Sequence, residues 1–213
     1  DDFAGLFAGK TVLGGMMQKL DSRLWEKADC RDYYTREELV MGNAYLTAEG
    51  AIGLAVAEYP GAIGGANCLV TGFGRIGKAL CGMLRGMGGR VFCAARKAQD
   101  VTAIRAMGCV PVTYAELGGG YELVFNTVPA QVLTQAALEK IAGESPGALL
   151  IELASQPGGI ELEAAGSLGL RVLAAGSLPG RMSPKASGEL IKQTVFNMLA
   201  ERPAGVAGRP ERR

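Results

Sequence analysis

Three glycines, Gly72, Gly74 and Gly77, stand at G-x-G-x-x-G spacing within VTGFGRIGKAL, residues 70–80. That spacing suits a turn that holds a pyrophosphate at the start of a helix. The first glycine permits the tight turn, the second lets the backbone approach the phosphates, and the third lets helix and strand pack closely. The N–H groups on offer would be those around Phe73, Gly74, Arg75 and Ile76. The spacing alone is weak, because the chain has 32 glycines. A second position sharpens it. An NAD site carries an acid at the end of the next strand, to bond the ribose hydroxyls. Residues 86–99, GMGGRVFCAARKAQ, contain none; Ala95, Arg96 and Lys97 stand there instead. A guanidinium beside an ammonium suits a ribose 2′-phosphate, so NADP is favoured over NAD.

Other residue types narrow the chemistry by exclusion. The chain has no histidine, which rules out a Ser-His-Asp triad and a histidine acid or base. Proton transfer falls to Glu, Asp, Lys, Tyr, Cys, the substrate or water. The five cysteines, Cys30, Cys68, Cys81, Cys93 and Cys109, form no C-x-x-C pair. They read as reduced core residues of a cytoplasmic protein, and no metal site is expected. A net charge of +1 over 213 residues gives no case for nucleic acid or an anionic membrane as partner. No apolar run approaches the length of a membrane span. The first residues, DDFAGLFAGK, are acidic where a signal peptide is basic, and the absence of an initial Met is read as a portion of a longer protein.

The elements that must position these residues follow from periodicity. Short apolar runs at 68–71, 90–94, 109–112, 121–126, 148–153 and 171–175 read as buried strands. Helical patterns lie between them, and a last helix is expected over 184–200 with Pro184 near its start. This alternation predicts an α/β fold, a doubly wound parallel sheet of the Rossmann type in strand order 3-2-1-4-5-6. A helix is expected over residues 45–59 with Thr47 as its N-cap. Residues 11–34 read as a partial β-α-β piece, so the expected domains are a remnant over 1–42, a helix plus dinucleotide domain over 43–200, and a disordered tail over 201–213. Ligands of this fold lie beyond the carboxyl ends of the strands. Three loops rich in Gly, Pro and hydroxyls stand there: NTVPAQ with Thr127, Val128 and Pro129, ASQPGG with Ser155, and GSLPGRMSPK with Arg181, Ser183 and Lys185. They are expected to shape a nicotinamide pocket and to offer donors to carboxylates.

At these residues the sequence resembles the A-subunit family of dipicolinate synthase from sporulating bacteria. The matching stretches include NAYLTAEGAI (43–52), VTGFGRIGKAL (70–80), VFCAARK (91–97), FNTVPA (125–130), LIELASQPGG (150–159) and AAGSLPGRMSPKASGELI (174–191). The resemblance covers roughly residues 40–200. It implies an NADP-linked dehydrogenase of the mother-cell cytoplasm that oxidises dihydrodipicolinate, or its hydroxylated tetrahydro precursor, to dipicolinate, a branch from the lysine pathway. It also implies a partner, the flavoprotein-like B-subunit of the synthase. A substrate with two carboxylates needs cations and hydrogen-bond donors. Lys185 and Arg181 are the candidate cations, with Ser155 and Ser183 as hydroxyl donors. By the resemblance Asn43, Thr47 and Glu49 border the interdomain cleft, with Glu49 the candidate general base. Arg181 departs from the family, which tends to be apolar after L-P-G. The family also carries a whole N-terminal domain where only a piece is expected here. Missing strands would leave edges suited to pairing with another chain, so an oligomer is expected. Two other readings stay open: a dinucleotide-binding regulatory module, and a different two-domain dehydrogenase of the 2-hydroxy-acid type, against which the absence of histidine counts.

Overall fold

A computed structural model describes residues 3–19 and 22–201. The chain forms two compact units, Asp1–Asn43 with Lys185–Arg213, and Ala44–Pro184. In the first, strands β1 (Thr11–Gly14) and β2 (Asp29–Asp32) pair in parallel, and helix α1 (Ser22–Lys27) lies between them in the chain. The helix expected over the segment after residue 15 is divided: a 3-10 turn covers Met17–Lys19 and α1 begins at Ser22, with Leu20 and Asp21 outside the described residues. β2 stops at Asp32 because its carboxylate is recruited locally. Oδ1 accepts from the Tyr34 N–H at 2.8 Å and Oδ2 from the Met17 N–H at 2.8 Å. Tyr33 and Tyr34, expected in the strand, form a 3-10 turn instead.

The last helix, α8 (Pro184–Ala200), starts at Pro184 as the sequence predicts. The domain expectation attached it to the dinucleotide domain, whereas in the structure it belongs to the first unit from Lys185 onward. The Arg31 guanidinium donates to the Met198 carbonyl at 2.6 Å, and Arg36 pairs with Glu201 at 2.5 Å. A methyl on Gly42 would overlap Leu190. Periodicity registers a helix but not which partner covers it. The tail expected to be disordered lies, beyond Glu201, outside the described residues.

Helix α2 (Glu37–Glu58) begins eight residues before the expected start, and Thr47 lies mid-helix rather than at an N-cap. Glu37 and Glu38 supply acids to the first turn, where they complement the helix dipole, and no breaker follows until Pro60. Among the described helices α2 alone is long and apolar enough to cross a membrane. The sequence expectation missed it because Asn43, Thr47 and Glu49 interrupt the apolar run. Its small residues serve close packing: Ala48, Ala51 and Ala55 are fully buried.

Six strands build the larger unit: β3 (Asn67–Thr71), β4 (Arg90–Ala94), β5 (Val110–Val112), β6 (Leu123–Asn126), β7 (Leu149–Glu152) and β8 (Arg171–Ala174). They pair in parallel in the order β5-β4-β3-β6-β7-β8, the predicted topology. The direction of progression reverses between β3 and β6. Helices α3 (Arg75–Gly86), α4 (Ala98–Ala106), α5 (Gln135–Glu144), α6 (Leu162–Ser167) and the short α7 (Leu178–Met182) complete the unit. The segment expected to be a loop at 176–185 thus holds a turn of helix. Leu178 anchors it in the core, and a methyl on Gly50 of α2 would sit tightly against Leu178 Cβ at 3.1 Å. Each face of the sheet buries its own cluster. Cys68, Val70 and Phe125 face α2 and α3; Leu69, Val124 and Leu150 face Leu138 and Ile141 of α5.

Candidate functional site

The glycine turn has the geometry the spacing implies. Gly72 follows β3 with φ +91, a left-handed conformation that favours glycine. A methyl there would also come within 2.6 Å of Thr127 Oγ1. Gly77 faces the turn from α3, and a methyl on it would overlap the Gly72 carbonyl oxygen. Gly74 is the N-cap of α3, and a methyl there would meet nothing. The open side of the turn is the side a pyrophosphate would use, at the N-terminus of α3, which begins at Arg75. The residues present therefore fit a dinucleotide phosphate.

A cleft of about 680 Å³ opens at this turn. Gly72, Phe73 and Gly74 form its floor, and Ala95, Arg96 and Lys97 one wall. Arg96 and Lys97 are exposed, and Lys97 is the N-cap of α4. The sequence reading missed Lys78, Gln99, Asp100 and Tyr114, which line the same cleft. Lys78 sits over the Phe73 ring, 5.2 Å from its centre, so a third cation lines the cleft with Arg96 and Lys97. Four residues past Gly74, it lies one helical turn into α3, a signal that was available. Tyr114 donates its hydroxyl to the Ala94 carbonyl at 3.3 Å. Burial raises its pKa, partly opposed by the charge of Arg96. Asp100 brings an acid to the wall, but in the first turn of α4 rather than at the end of β4.

Across the turn, Val128 and Ala130 line the cleft while Pro129 is exposed. The Thr127 hydroxyl donates to the Thr71 carbonyl at 2.8 Å, so it ties β6 to β3. The remaining predicted residues do not line this cleft. Ser155 is exposed in the loop after β7, and its carbonyl accepts from the Gly158 N–H at 3.0 Å. Arg181 is exposed and donates to the Gly176 carbonyl at 3.2 Å; Ser183 caps the end of α7. Thr47 and Glu49 lie in the middle of α2, Glu49 with its side chain exposed. Asn43 and Lys185 belong to the other unit.

Four of the five thiols are buried, and Cys30 is half-buried. Burial raises Cys68 and Cys109 to about 12, and Cys81 is raised further by hydrogen bonding with Cys93. They stay protonated near neutrality and unreactive. No cluster among the described residues could hold a metal ion.

No family model matches the chain. It is 31% identical to the A-subunit of dipicolinate synthase from Bacillus subtilis (strain 168) over 171 residues, 79% of this chain and 57% of that protein. The crystal structure of the dipicolinate synthase A chain from Bacillus subtilis superposes with a TM-score of 0.78 at 28% identity, covering 90% of this chain and 65% of that one. A transhydrogenase from Sinorhizobium meliloti, at 18% identity, matches with a TM-score of 0.73 over 91% of this chain and 68% of its own, which shows the shared fold. The chain thus spans less than two thirds of the length of the Bacillus subtilis protein. The resemblance drawn from the sequence segments is borne out, as is the predicted α/β dinucleotide-type fold.

Proposed function

Because the chain is a relative of the dipicolinate synthase A-subunit, we propose that it is an NADP-dependent oxidoreductase that converts dihydrodipicolinate, or its hydroxylated precursor, to dipicolinate. The observation that carries the reading is the cleft at the glycine turn, which Lys78, Arg96 and Lys97 all line. Three cations and no acid at the end of β4 favour the extra phosphate of NADP. The bound dinucleotide supplies a hydride acceptor.

The protein's own task is then to bind and orient. N–H groups at Gly74, Arg75 and Ile76 hold the pyrophosphate, and the wall at Val128 borders the reacting ring. Oxidation of the dihydropyridine removes one hydride and one proton, and the product ring is aromatic. Much of the driving force therefore lies in the substrate, which suits a chain without histidine. We assign Glu49 to accept the proton and Arg181, Ser155, Ser183, Thr47, Asn43 and Lys185 to the carboxylates. The roles of Glu49, Thr47 and Asn43 rest on the resemblance, and those of Arg181, Ser155, Ser183 and Lys185 on the cations and donors that two carboxylates need. The flavoprotein-like B-subunit of dipicolinate synthase is the proposed partner, and the cytoplasm of a sporulating cell the proposed location.

Turnover tests the reading. The chain is mixed with dihydrodipicolinate and NADP, with and without the flavoprotein-like partner, and NADPH fluorescence is followed. NADPH formation is expected in at least one pairing. Tight NADP binding with no turnover in any pairing would instead favour a regulatory dinucleotide-binding module.

A further inference from the structure

The last residues of three adjacent strands stand in register: Thr71 of β3 beside Asn126 of β6, and Asn126 beside Glu152 of β7. Their side chains join across the sheet. The Thr71 hydroxyl donates to Asn126 Oδ1 at 2.5 Å, and the Val128 N–H donates to the same oxygen at 3.2 Å. Asn126 Nδ2 donates to Glu152 Oε1 at 2.6 Å and to the Val128 carbonyl at 3.0 Å. Glu152 Oε1 also accepts from the Ala154 N–H at 2.9 Å. Its Oε2 accepts from the N–H groups of Gly159 at 2.9 Å and Ile160 at 3.1 Å. Thr71 and Asn126 are fully buried.

The arrangement has no slack. The Asn126 amide uses both its donors and both lone pairs of its oxygen, and each Glu152 oxygen accepts twice. Glu152 therefore has no lone pair free for a substrate proton, and its part is to hold other groups. What it holds are two loops. Residues 127–130 leave β6 and carry Val128 and Ala130 to the cleft wall; residues 153–160 leave β7 and are fastened at both ends to one carboxylate. Gly159 completes the joint, because a methyl there would meet Asn126 Nδ2 and the Val128 carbonyl at 2.5 Å. The reversal of strand order lies between β3 and β6, with the cations on the β4 side. A dinucleotide whose adenosine half lies over β4 must place its other half over β6 and β7.

We propose that Asn126 and Glu152 are positioning residues that orient the loops after β6 and β7 against the nicotinamide half of the bound dinucleotide. The proposal rests on the dinucleotide reading of the cleft. It distinguishes the two halves of the ligand, which a general folding role would not.

Substitution of either residue by its isostere reverses donors and acceptors at constant volume. Asn126→Asp sets oxygen against Glu152 and the Val128 carbonyl. Glu152→Gln sets an NH₂ group against N–H donors whichever way it is turned. Binding to the full chain is measured by calorimetry with NADP and its nicotinamide-free half, 2′,5′-ADP, and with NAD and ADP. Each variant should bind the dinucleotide roughly tenfold more weakly, as loss of a buried hydrogen bond implies, while the half-ligand changes less than about twofold. Thr71→Val, a milder change, should show a smaller loss of the same kind, and Thr71→Ser should recover it. It keeps the test valid should the isosteres fail to fold. Equal loss for whole and half, or no loss for either, overturns the proposal. If the unsubstituted chain binds neither dinucleotide, the dinucleotide reading itself falls, and this proposal with it.

Discussion

The Ala44–Pro184 unit and the unit built from the flanking segments hold their elements by different means. In the larger unit the central strands β3, β6 and β7 are sealed on both faces: Leu69, Leu123, Val124, Phe125 and Leu150 are fully buried. Each such side chain contributes about 1.5–3 kcal/mol by leaving water. In the smaller unit the strands are four residues long with half-buried patterns, and Met17, Leu39, Thr194 and Met198 are its buried side chains among the described residues. Polar ties join its distant segments: Arg31 bonds the Met198 carbonyl and Arg36 bonds Glu201, while Arg31–Asp29 and Arg36–Glu38 are local pairs. Exposed ion pairs of this kind are weak, and salt screens them. The glycine turn thus stands on a scaffold built by apolar burial, and the smaller unit is expected to respond more to salt and pH.

The sharpest break of this contrast is expected at Gly77. Gly77→Ala places a methyl on the Gly72 carbonyl, where the rigid core cannot yield. It should destabilise the larger unit by about 1–3 kcal/mol and abolish dinucleotide binding, read by calorimetric melting and NADP titration. Next in size is Arg96→Asp. NADP affinity should fall roughly tenfold to a hundredfold, in line with loss of a charge-assisted contact and gain of a repulsion, while NAD affinity changes far less. Equal losses would remove the 2′-phosphate role.

Acid should separate the units. Hydrogen bonds from Arg36 hold Glu201 and Glu38 below the ordinary glutamate value of 4.5, and that from Arg31 lowers Asp29. Because the folded values are depressed, their stabilisation is complete above the ordinary values and is lost as pH falls through the folded ones. Trp25, the only tryptophan, lies in the smaller unit. Its fluorescence should change at higher pH than the far-ultraviolet circular dichroism of the whole chain; coincident transitions would refute the contrast. The smallest effect is expected for Arg36→Ala. It should lower the urea midpoint of the Trp25 signal slightly at low salt and hardly at all at high salt.

The larger unit was the more legible in sequence for the same physical reason. Strands buried on both faces leave continuous apolar runs such as CLVT and RVFCA, and their order follows from right-handed crossovers. Gly72 and Gly77 were legible because each meets a steric demand, and Gly74 because it stands between them at the open side of the turn. Thr47 was misplaced because the true start of α2 at Glu37 lies in polar sequence that local periodicity does not mark. The hydrogen-bonded row Thr71, Asn126 and Glu152 was invisible, since it joins residues 55 and 26 positions apart that only strand register brings together. Tyr114 was missed for a similar reason, since the fold alone carries it to the cleft, whereas Lys78, one turn past Gly74 within the glycine stretch, was legible and overlooked.

The assignment of α8 to the same unit as β1 and β2 has a consequence for synthesis. A growing chain has every strand of the six-stranded sheet once Ala174 is made, and α7 by Met182. Residues 3–43 are made before the sheet, yet α8 of their unit is made after it. For these two units the usual N-to-C order of domain folding is therefore inverted: Ala44–Pro184 can reach its native state while residues 3–43 wait for α8. During that interval the paired strands β1 and β2 lack the Met198 carbonyl that accepts from Arg31, and they are the segments for which a chaperone would have most use.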